Sequence, residues 1–109
     1  MAQDDFHVIV YKILSYLYRQ LKAGEPIDVC RISAENDDFL INESYWMFIL
    51  SELKEAGYMK GYSVVSNRAG HRRIDHLDRA RITMRGVEYL TDDRFMKKVR
   101  EQETGIRRV

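Results

Sequence analysis

The sequence predicts an α+β protein with the winged helix-turn-helix fold, and three observations lead to this prediction. The stretch from Leu40 to Gly61 (LINESYWMFILSELKEAGYMKG) starts with a capping residue, continues with a helical apolar pattern and ends at glycine. Two helical patterns precede this stretch, and a β-rich run with a turn motif follows it. We therefore expect a three-helix core, a β-hairpin called the wing, and an additional C-terminal helix.

The first helix is predicted to begin at Asp4 or Asp5 and to end near Lys22. Its apolar residues recur at helical spacing and form the inward face: Phe6, Ile9, Ile13, Tyr16 and Leu17. Tyr11 and Tyr18 lie seven residues apart on the flank. They either lie along the surface of the domain or form a second buried face, which would make a homodimer through this helix.

The second helix is predicted to be short and to cover Val29–Asn36, with Asp28 as its cap. The preceding Gly24-Glu25-Pro26 ends the first helix, because proline cannot continue it. The third helix follows with Asn42 as N-cap and Glu43 in the first turn, where a negative charge suits the helix dipole. Its apolar face comprises Trp46, Ile49, Leu50 and Leu53, and Gly57 is the predicted left-handed C-cap.

The wing is predicted from the β-rich run Tyr58–Val65, the turn motif Asn67–Gly70 and a return strand within Arg72–Ile82. Arginines on a protruding hairpin are well placed to contact the phosphate backbone of DNA. The candidate phosphate-binding residues are Arg68, Arg72, Arg73 and Arg85. The alternative is that these charges keep an exposed sheet edge from aggregating.

After the wing, Thr83 is predicted to cap a helix over MRGVEYL, with Val87 and Leu90 facing inward. A further helical start at residues 91–93 leads through Phe95, Met96 and Val99 to about Glu103. These apolar residues give a second candidate homodimer surface. We expect one domain over residues 1–104 and a frayed tail over 105–109.

The outward face of the third helix gives mixed evidence about function. Asn42, Ser44 and Ser51 are the candidate groove-facing residues, but the face carries no arginine, and Glu52 and Glu55 would repel phosphate. Phe48 on this face either packs under the wing or belongs to a protein-binding surface with Tyr11 and Tyr18.

Charge and composition favour a cytoplasmic protein with a polarised surface. Residues 1–57 carry a net charge of −5 and residues 58–109 a net charge of +6, so the C-terminal half is suited to a polyanion. The single cysteine forms no internal disulfide, the N-terminus is acidic where a signal peptide is basic, and no apolar run could span a membrane.

No catalytic constellation is present in the sequence. The three histidines and one cysteine lack zinc-ligand spacing, and the glycines fit helix ends and turns better than a phosphate-binding loop. We therefore expect no enzyme activity, no cofactor and no metal site.

Several motifs, in this order, resemble those of one bacterial family. They are YKILSYL, GEPID at 24–28, ISAEN at 32–36, INESYW at 41–46, LKEAGYMKG at 53–61, ITMRGVEYL at 82–90 and FMKK at 95–98. With them, the chain from Val10 to Lys98 resembles the YjcQ family, small bacterial proteins often encoded in prophage-like regions. The resemblance implies a winged-helix-like domain but brings no catalytic or ligand-binding residues with it.

Two functional hypotheses follow. The first is a DNA-binding, transcription-associated protein of phage origin, in which the wing arginines hold double-stranded DNA. The second is a protein-interaction adaptor that keeps the winged-helix scaffold without binding DNA. One contiguous positive surface formed by the wing arginines and the Ser44/Ser51 face would favour the first hypothesis. A surface made negative by Glu52 and Glu55, beside an apolar patch of Tyr11, Tyr18 or Phe48, would favour the second.

Overall fold

The computed structural model describes residues 5–35 and 40–92, and this part of the chain is α+β. Three α-helices lie in it with four short antiparallel strands and two 3₁₀ turns. In chain order these are α1 (Asp5–Ala23), a 3₁₀ turn (Val29–Ile32), α2 (Glu43–Glu55), β1 (Met59–Lys60), β2 (Ser63–Ser66), β3 (Arg72–Asp75), a second 3₁₀ turn (Leu77–Arg79), β4 (Arg81–Ile82) and α3 (Met84–Asp92). The arrangement is compatible with a winged helix.

The core lies between α1, α2 and the strand pair β1–β4. Buried residues of α1 such as Ile13 and Leu14 belong to the same cluster as Ile49 and Leu50 of α2. The predicted apolar face of α2 is confirmed, because Trp46, Ile49, Leu50 and Leu53 are all buried. The cluster also includes Met59, Tyr62, Ile82 and Leu90, so β1, β4 and α3 contribute buried side chains to the core.

The ends of α2 are those that the sequence predicts. The Asn42 side chain accepts a hydrogen bond of 2.8 Å from the backbone N–H of Tyr45. At the other end Gly57 has φ +83°, and its N–H donates to the carbonyl of Lys54. The N–H of Tyr58 donates to the carbonyl of Leu53, which completes a Schellman motif.

The second helix is shorter than predicted. Asp28 caps it by accepting from the N–H of Cys30, but only Val29–Ile32 is helical. Ser33 is extended, Glu35 forms a β-bridge with Leu40, and the N–H of Ile41 donates to the carbonyl of Ala34. The prediction of a helix to Asn36 was therefore wrong, because the chain leaves the helix at Ser33 to make these β-type contacts.

The predicted strand Tyr58–Val65 is two strands. β2 pairs with β3 in a hairpin, with Ser66 opposite Arg72, while β1 pairs with β4, with Met59 opposite Ile82. Between β1 and β2 the backbone bends at Gly61, whose φ is +101°. A Cβ atom there would lie 2.0 Å from the carbonyl oxygen of Arg79, so the close approach requires glycine.

The helix α3 begins as predicted, since Thr83 Oγ1 accepts from the N–H of Gly86 at 3.0 Å. Leu90 is buried and Val87 packs against the core. Of the predicted second start at residues 91–93, Thr91 and Asp92 belong to the end of α3, and Asp93 lies outside the described residues. Phe95, Met96, Val99 and the tail 105–109 lie outside the described residues. Within the described part, no helix has the length and apolar character needed to cross a membrane.

Candidate nucleic-acid interface

The face of α2 that the sequence predicts to point outward is accessible to solvent in the structure. Ser44 and Glu55 are exposed, Ser51 is half-buried, and Phe48 keeps 46% of its surface exposed. These residues lie opposite the buried Trp46 face because the helix repeats every 3.6 residues. The face therefore offers two hydroxyl groups, one carboxylate and one aromatic ring to a partner.

The hairpin formed by β2, β3 and the connecting residues 67–71 has a well-ordered turn. The Asn67 side chain accepts from the N–H groups of Ala69 and His71 at 2.9 and 3.0 Å, and Gly70 has φ +84°. The predicted turn is confirmed, and the side-chain oxygen of Asn67 determines its shape. Arg68 is exposed within this turn.

The hairpin and α2 form one continuous surface. Arg72 Nη1 donates to Ser51 Oγ across 3.4 Å, although the two residues are 21 positions apart in the chain. A cleft of about 270 Å³ runs between the two elements. It is lined by Glu43, Ser44 and Met47 of α2 and by Gly70, His71 and Arg72 of the hairpin.

Arg73 differs from Arg72 because its guanidinium group is paired with a carboxylate on the same strand. Its Nε and Nη2 atoms donate to the two carboxylate oxygens of Asp75 at 2.8 and 3.2 Å. These hydrogen bonds lower the pKa of the Asp75 carboxyl and raise the pKa of Arg73. Residues two apart on a strand share a face, so the sequence did contain a signal for this pair.

Arg85 lies in a different groove from the α2–hairpin cleft. This groove, of about 360 Å³, is also lined by Tyr58, Tyr89, Glu88 and Asp92. The rings of Tyr58 and Tyr89 stack with centroids 4.4 Å apart. The four candidate phosphate-binding arginines are therefore divided: Arg72 lines the cleft, Arg68 lies in the turn, Arg73 is paired and Arg85 belongs to α3.

The three candidate groove-facing residues also have different positions. Ser44 lines the cleft and Ser51 holds Arg72, whereas the amide oxygen of Asn42 caps α2. Our sequence-based prediction missed Glu43, Met47 and His71 as cleft residues. The position of Glu43 in the first turn was visible in the sequence, but its neighbours across the cleft depend on the tertiary structure.

The three candidate protein-interface residues have different neighbours, and their common interface stays a prediction. Tyr11 and Tyr18 are half-buried against their own core, and Lys22 Nζ lies 4.4 Å from the centroid of the Tyr18 ring. The Phe48 ring has its neighbour on α1, with centroids of Phe48 and Phe6 6.1 Å apart. Thus α1 supplies a ring contact to Phe48, and its two predicted roles, packing under the wing or binding a protein, stay predictions.

Among residues 5–35 and 40–92, no group of three or more His, Cys, Asp or Glu side chains is arranged to hold a metal ion. The described part of the chain is an α+β domain with a cleft between α2 and the hairpin. A family profile described as YjcQ protein matches residues 11–108, nearly the whole chain. The chain belongs to the YjcQ family. No match to it was found among curated proteins or among solved structures.

Proposed function

We propose that this protein is a winged-helix protein that binds double-stranded DNA in a transcription-associated role. In this proposal α2 enters the major groove and the hairpin lies along the phosphate backbone. The observation that carries the proposal is the hydrogen bond from Arg72 to Ser51, since it joins the basic hairpin to the outward face of α2. Arg68 in the turn and Arg72 beside the helix are the phosphate-binding residues.

Two phosphate contacts lead to a quantitative expectation for salt dependence. The logarithm of the binding constant should fall with the logarithm of salt concentration with a slope of about −1.8. Affinity for a random duplex should therefore fall roughly 12-fold between 50 and 200 mM salt. Fluorescence anisotropy of a labelled random duplex at both salt concentrations measures this change.

A matched pair of double variants tests whether the hairpin is responsible. Arg68→Ala with Arg72→Ala should abolish binding at 200 mM salt. The control, Arg79→Ala with Arg81→Ala, removes the same charge from exposed residues that line a separate groove beside the end of α1. Equal loss in both variants would show a general charge effect, and absence of wild-type binding at 50 mM salt would contradict the proposal.

A second candidate function, a protein-interaction adaptor, is favoured by the exposure of Phe48. Phe48 keeps 46% of its surface exposed, although its ring lies beside that of Phe6. If the wild type does not bind DNA, a pull-down with wild type and Phe48→Ser tests this candidate. Retention of the same partner by both proteins would exclude Phe48 as the contact.

The proposal also includes a phage origin, a cytoplasmic location and a homodimer, and it assigns the protein no catalytic role. Helix-turn-helix proteins commonly bind two half-sites as dimers. The candidate surfaces are α1 and the segment containing Phe95, Met96 and Val99. Sedimentation equilibrium measures the mass directly, and a monomer at all protein concentrations would exclude the homodimer.

A further inference from the structure

Phe48 is the aromatic side chain of the outward face of α2. It keeps 46% of its surface exposed, whereas the next residue, Ile49, is fully buried. Because the helix repeats every 3.6 residues, Ser44 lies about one turn before Phe48 and Ser51 about one turn after it, on the same face. The ring therefore belongs to the part of α2 that faces the major groove in the proposed complex.

Two contacts fix the position of this ring in the protein surface. The ring of Phe6 on α1 packs beside it, with centroids 6.1 Å apart and ring planes inclined by 56°. One turn along α2, Ser51 Oγ accepts the hydrogen bond from Arg72 of the hairpin. The exposed part of the Phe48 ring and the phosphate-binding Arg72 are thus held on one surface.

We infer that Phe48 is a specificity-determining residue that contacts the C5-methyl group of thymine in the major groove. This inference rests on the DNA-binding function proposed above and names one feature of its target. Thymine is the base that presents a methyl group in the major groove, and phenylalanine is among the side chains that make an apolar contact with it.

The chemistry of the ring selects thymine among the four bases. A phenyl ring neither donates nor accepts a conventional hydrogen bond. Placed against the amino groups of adenine and cytosine or the acceptors of guanine, it excludes water from polar groups and leaves them unpaired. Placed against the thymine methyl group, it buries apolar surface on both partners, which is favourable.

The place of Phe48 along α2 also suits a base contact. It is the sixth residue of the helix, and its side chain lies before the exposed carboxylates of Glu52 and Glu55. Those carboxylates repel phosphate, so the half of α2 from Ser44 to Phe48 is the part that approaches DNA most closely. In helix-turn-helix proteins the N-terminal part of the recognition helix is the part that contacts base edges.

Packing beside Phe6 also gives this ring a role in the fold, and the experiment must separate the two roles. Replacing thymine with uracil removes the methyl group and keeps every hydrogen-bonding group of the base. A packing role alone affects the binding of thymine and uracil duplexes equally. A methyl contact makes the wild type prefer the thymine duplex, and the preference disappears when the ring is removed.

The test is an anisotropy titration of two labelled duplexes, one of alternating dA and dT and one of alternating dA and dU, at about 50 mM salt. The wild type should bind the thymine duplex about fourfold more tightly, which corresponds to the burial of one methyl group. Phe48→Ala should bind both duplexes equally. The matched control is Met84→Ala, which removes a 79% exposed apolar side chain from the start of α3 and should keep the preference.

A second pair of duplexes tests the wild type without any substitution. Alternating dG and dC duplexes are compared with and without a methyl group on C5 of every cytosine, the same ring position as in thymine. The wild type should bind the methylated duplex about fourfold more tightly. A preference in only one of the two pairs would follow from duplex shape and would overturn the inference.

Two further results would also overturn it. They are equal affinity of the wild type for thymine and uracil duplexes, and a thymine preference that Phe48→Ala retains. Both leave the DNA-binding proposal standing, because salt-dependent binding is then intact. Absence of binding to every duplex overturns both proposals.

Discussion

Arg73 and Asp75 form an ion pair with two hydrogen bonds on β3, with Nε 2.8 Å from Oδ1 and Nη2 3.2 Å from Oδ2. These hydrogen bonds engage the guanidinium group of Arg73, which follows Arg72 on the same strand. Because Asp75 balances the charge of Arg73, the hairpin has less uncompensated positive charge than its number of arginines suggests. The pair therefore limits the proposed phosphate contact.

The first prediction concerns the loss of the ion pair between Arg73 and Asp75. Asp75→Asn should raise the affinity for a random duplex, because it frees Arg73 for a third phosphate contact. The salt slope should steepen from about −1.8 to about −2.7, so affinity falls roughly 40-fold between 50 and 200 mM salt. Anisotropy titrations measure both quantities. Asp78→Asn, an exposed carboxylate in the second 3₁₀ turn, is the control, and an equal effect there would refute a specific role for the pair.

The second prediction is the titration of Asp75 in the free protein. The hydrogen bonds from Arg73 lower the pKa of this carboxyl below its ordinary value of 3.8. Since the pKa is lower in the folded state, the pair contributes to stability above about pH 3.8, and the contribution is lost as pH falls through the folded-state pKa. A carboxyl-detected NMR titration should show the low value, with recovery toward 3.8 in Arg73→Ala. No change in that variant, relative to Arg68→Ala, would contradict the assigned cause.

A third prediction concerns the buried phenol of Tyr62. Its hydroxyl donates to the carbonyl of Leu50 at 2.6 Å, and burial raises its pKa. Tyr62→Phe should lower the free energy of unfolding at pH 7 by about 1 kcal/mol, because it removes a buried hydrogen bond. Urea unfolding followed by circular dichroism measures this loss.

The same residue should affect stability at alkaline pH. The unfolded chain loses the Tyr62 proton near pH 10 while the folded protein retains it, so wild-type stability should fall as pH rises above 10. Tyr62→Phe should lack this part of the fall, and Tyr11→Phe should keep it. An identical alkaline profile for wild type and Tyr62→Phe would show that the phenol does ionise in the folded state.

The features of the fold that the sequence predicted are those determined by near neighbours in the chain. The Asn42 cap, the Gly57 end of α2 and the Asn67 turn each depend on hydrogen bonds within five residues. The buried face of α2 follows from helical periodicity alone. The end of the second helix was mispredicted because the β-bridge between Glu35 and Leu40 depends on a residue outside the predicted helix.

For the candidate site, the sequence supplied Ser44, Ser51 and Arg72 but not their arrangement or the other residues of the cleft. Arg72 and Ser51 were both candidates, yet the contact between them joins distant segments and depends on where the hairpin packs. The place of Arg85 in a separate groove was missed for the same reason, whereas the Arg73–Asp75 pair is local and its spacing was visible in the sequence. Glu43 was assigned only to the helix dipole, because its place on the cleft requires the tertiary structure.

The last prediction compares Gly61, between β1 and β2, with Gly70, in the turn between β2 and β3. Gly61→Ala places a Cβ atom 2.0 Å from the carbonyl oxygen of Arg79, in a backbone with φ +101°. Gly70→Ala meets no atom within 4 Å, and its strain comes only from φ +84°. We expect Gly70→Ala to cost about 1–2 kcal/mol of unfolding free energy.

Gly61→Ala should cost on the order of 3 kcal/mol or more, because the backbone of Arg79 must move away and the β1–β4 pairing must shift with it. Urea unfolding of the two variants gives the comparison, with Gly70→Ala as the control for backbone strain alone. Equal costs would show that the bend between β1 and β2 does not depend on close approach to Arg79. A larger cost at Gly61 identifies this contact as the reason that the predicted single strand divides into two.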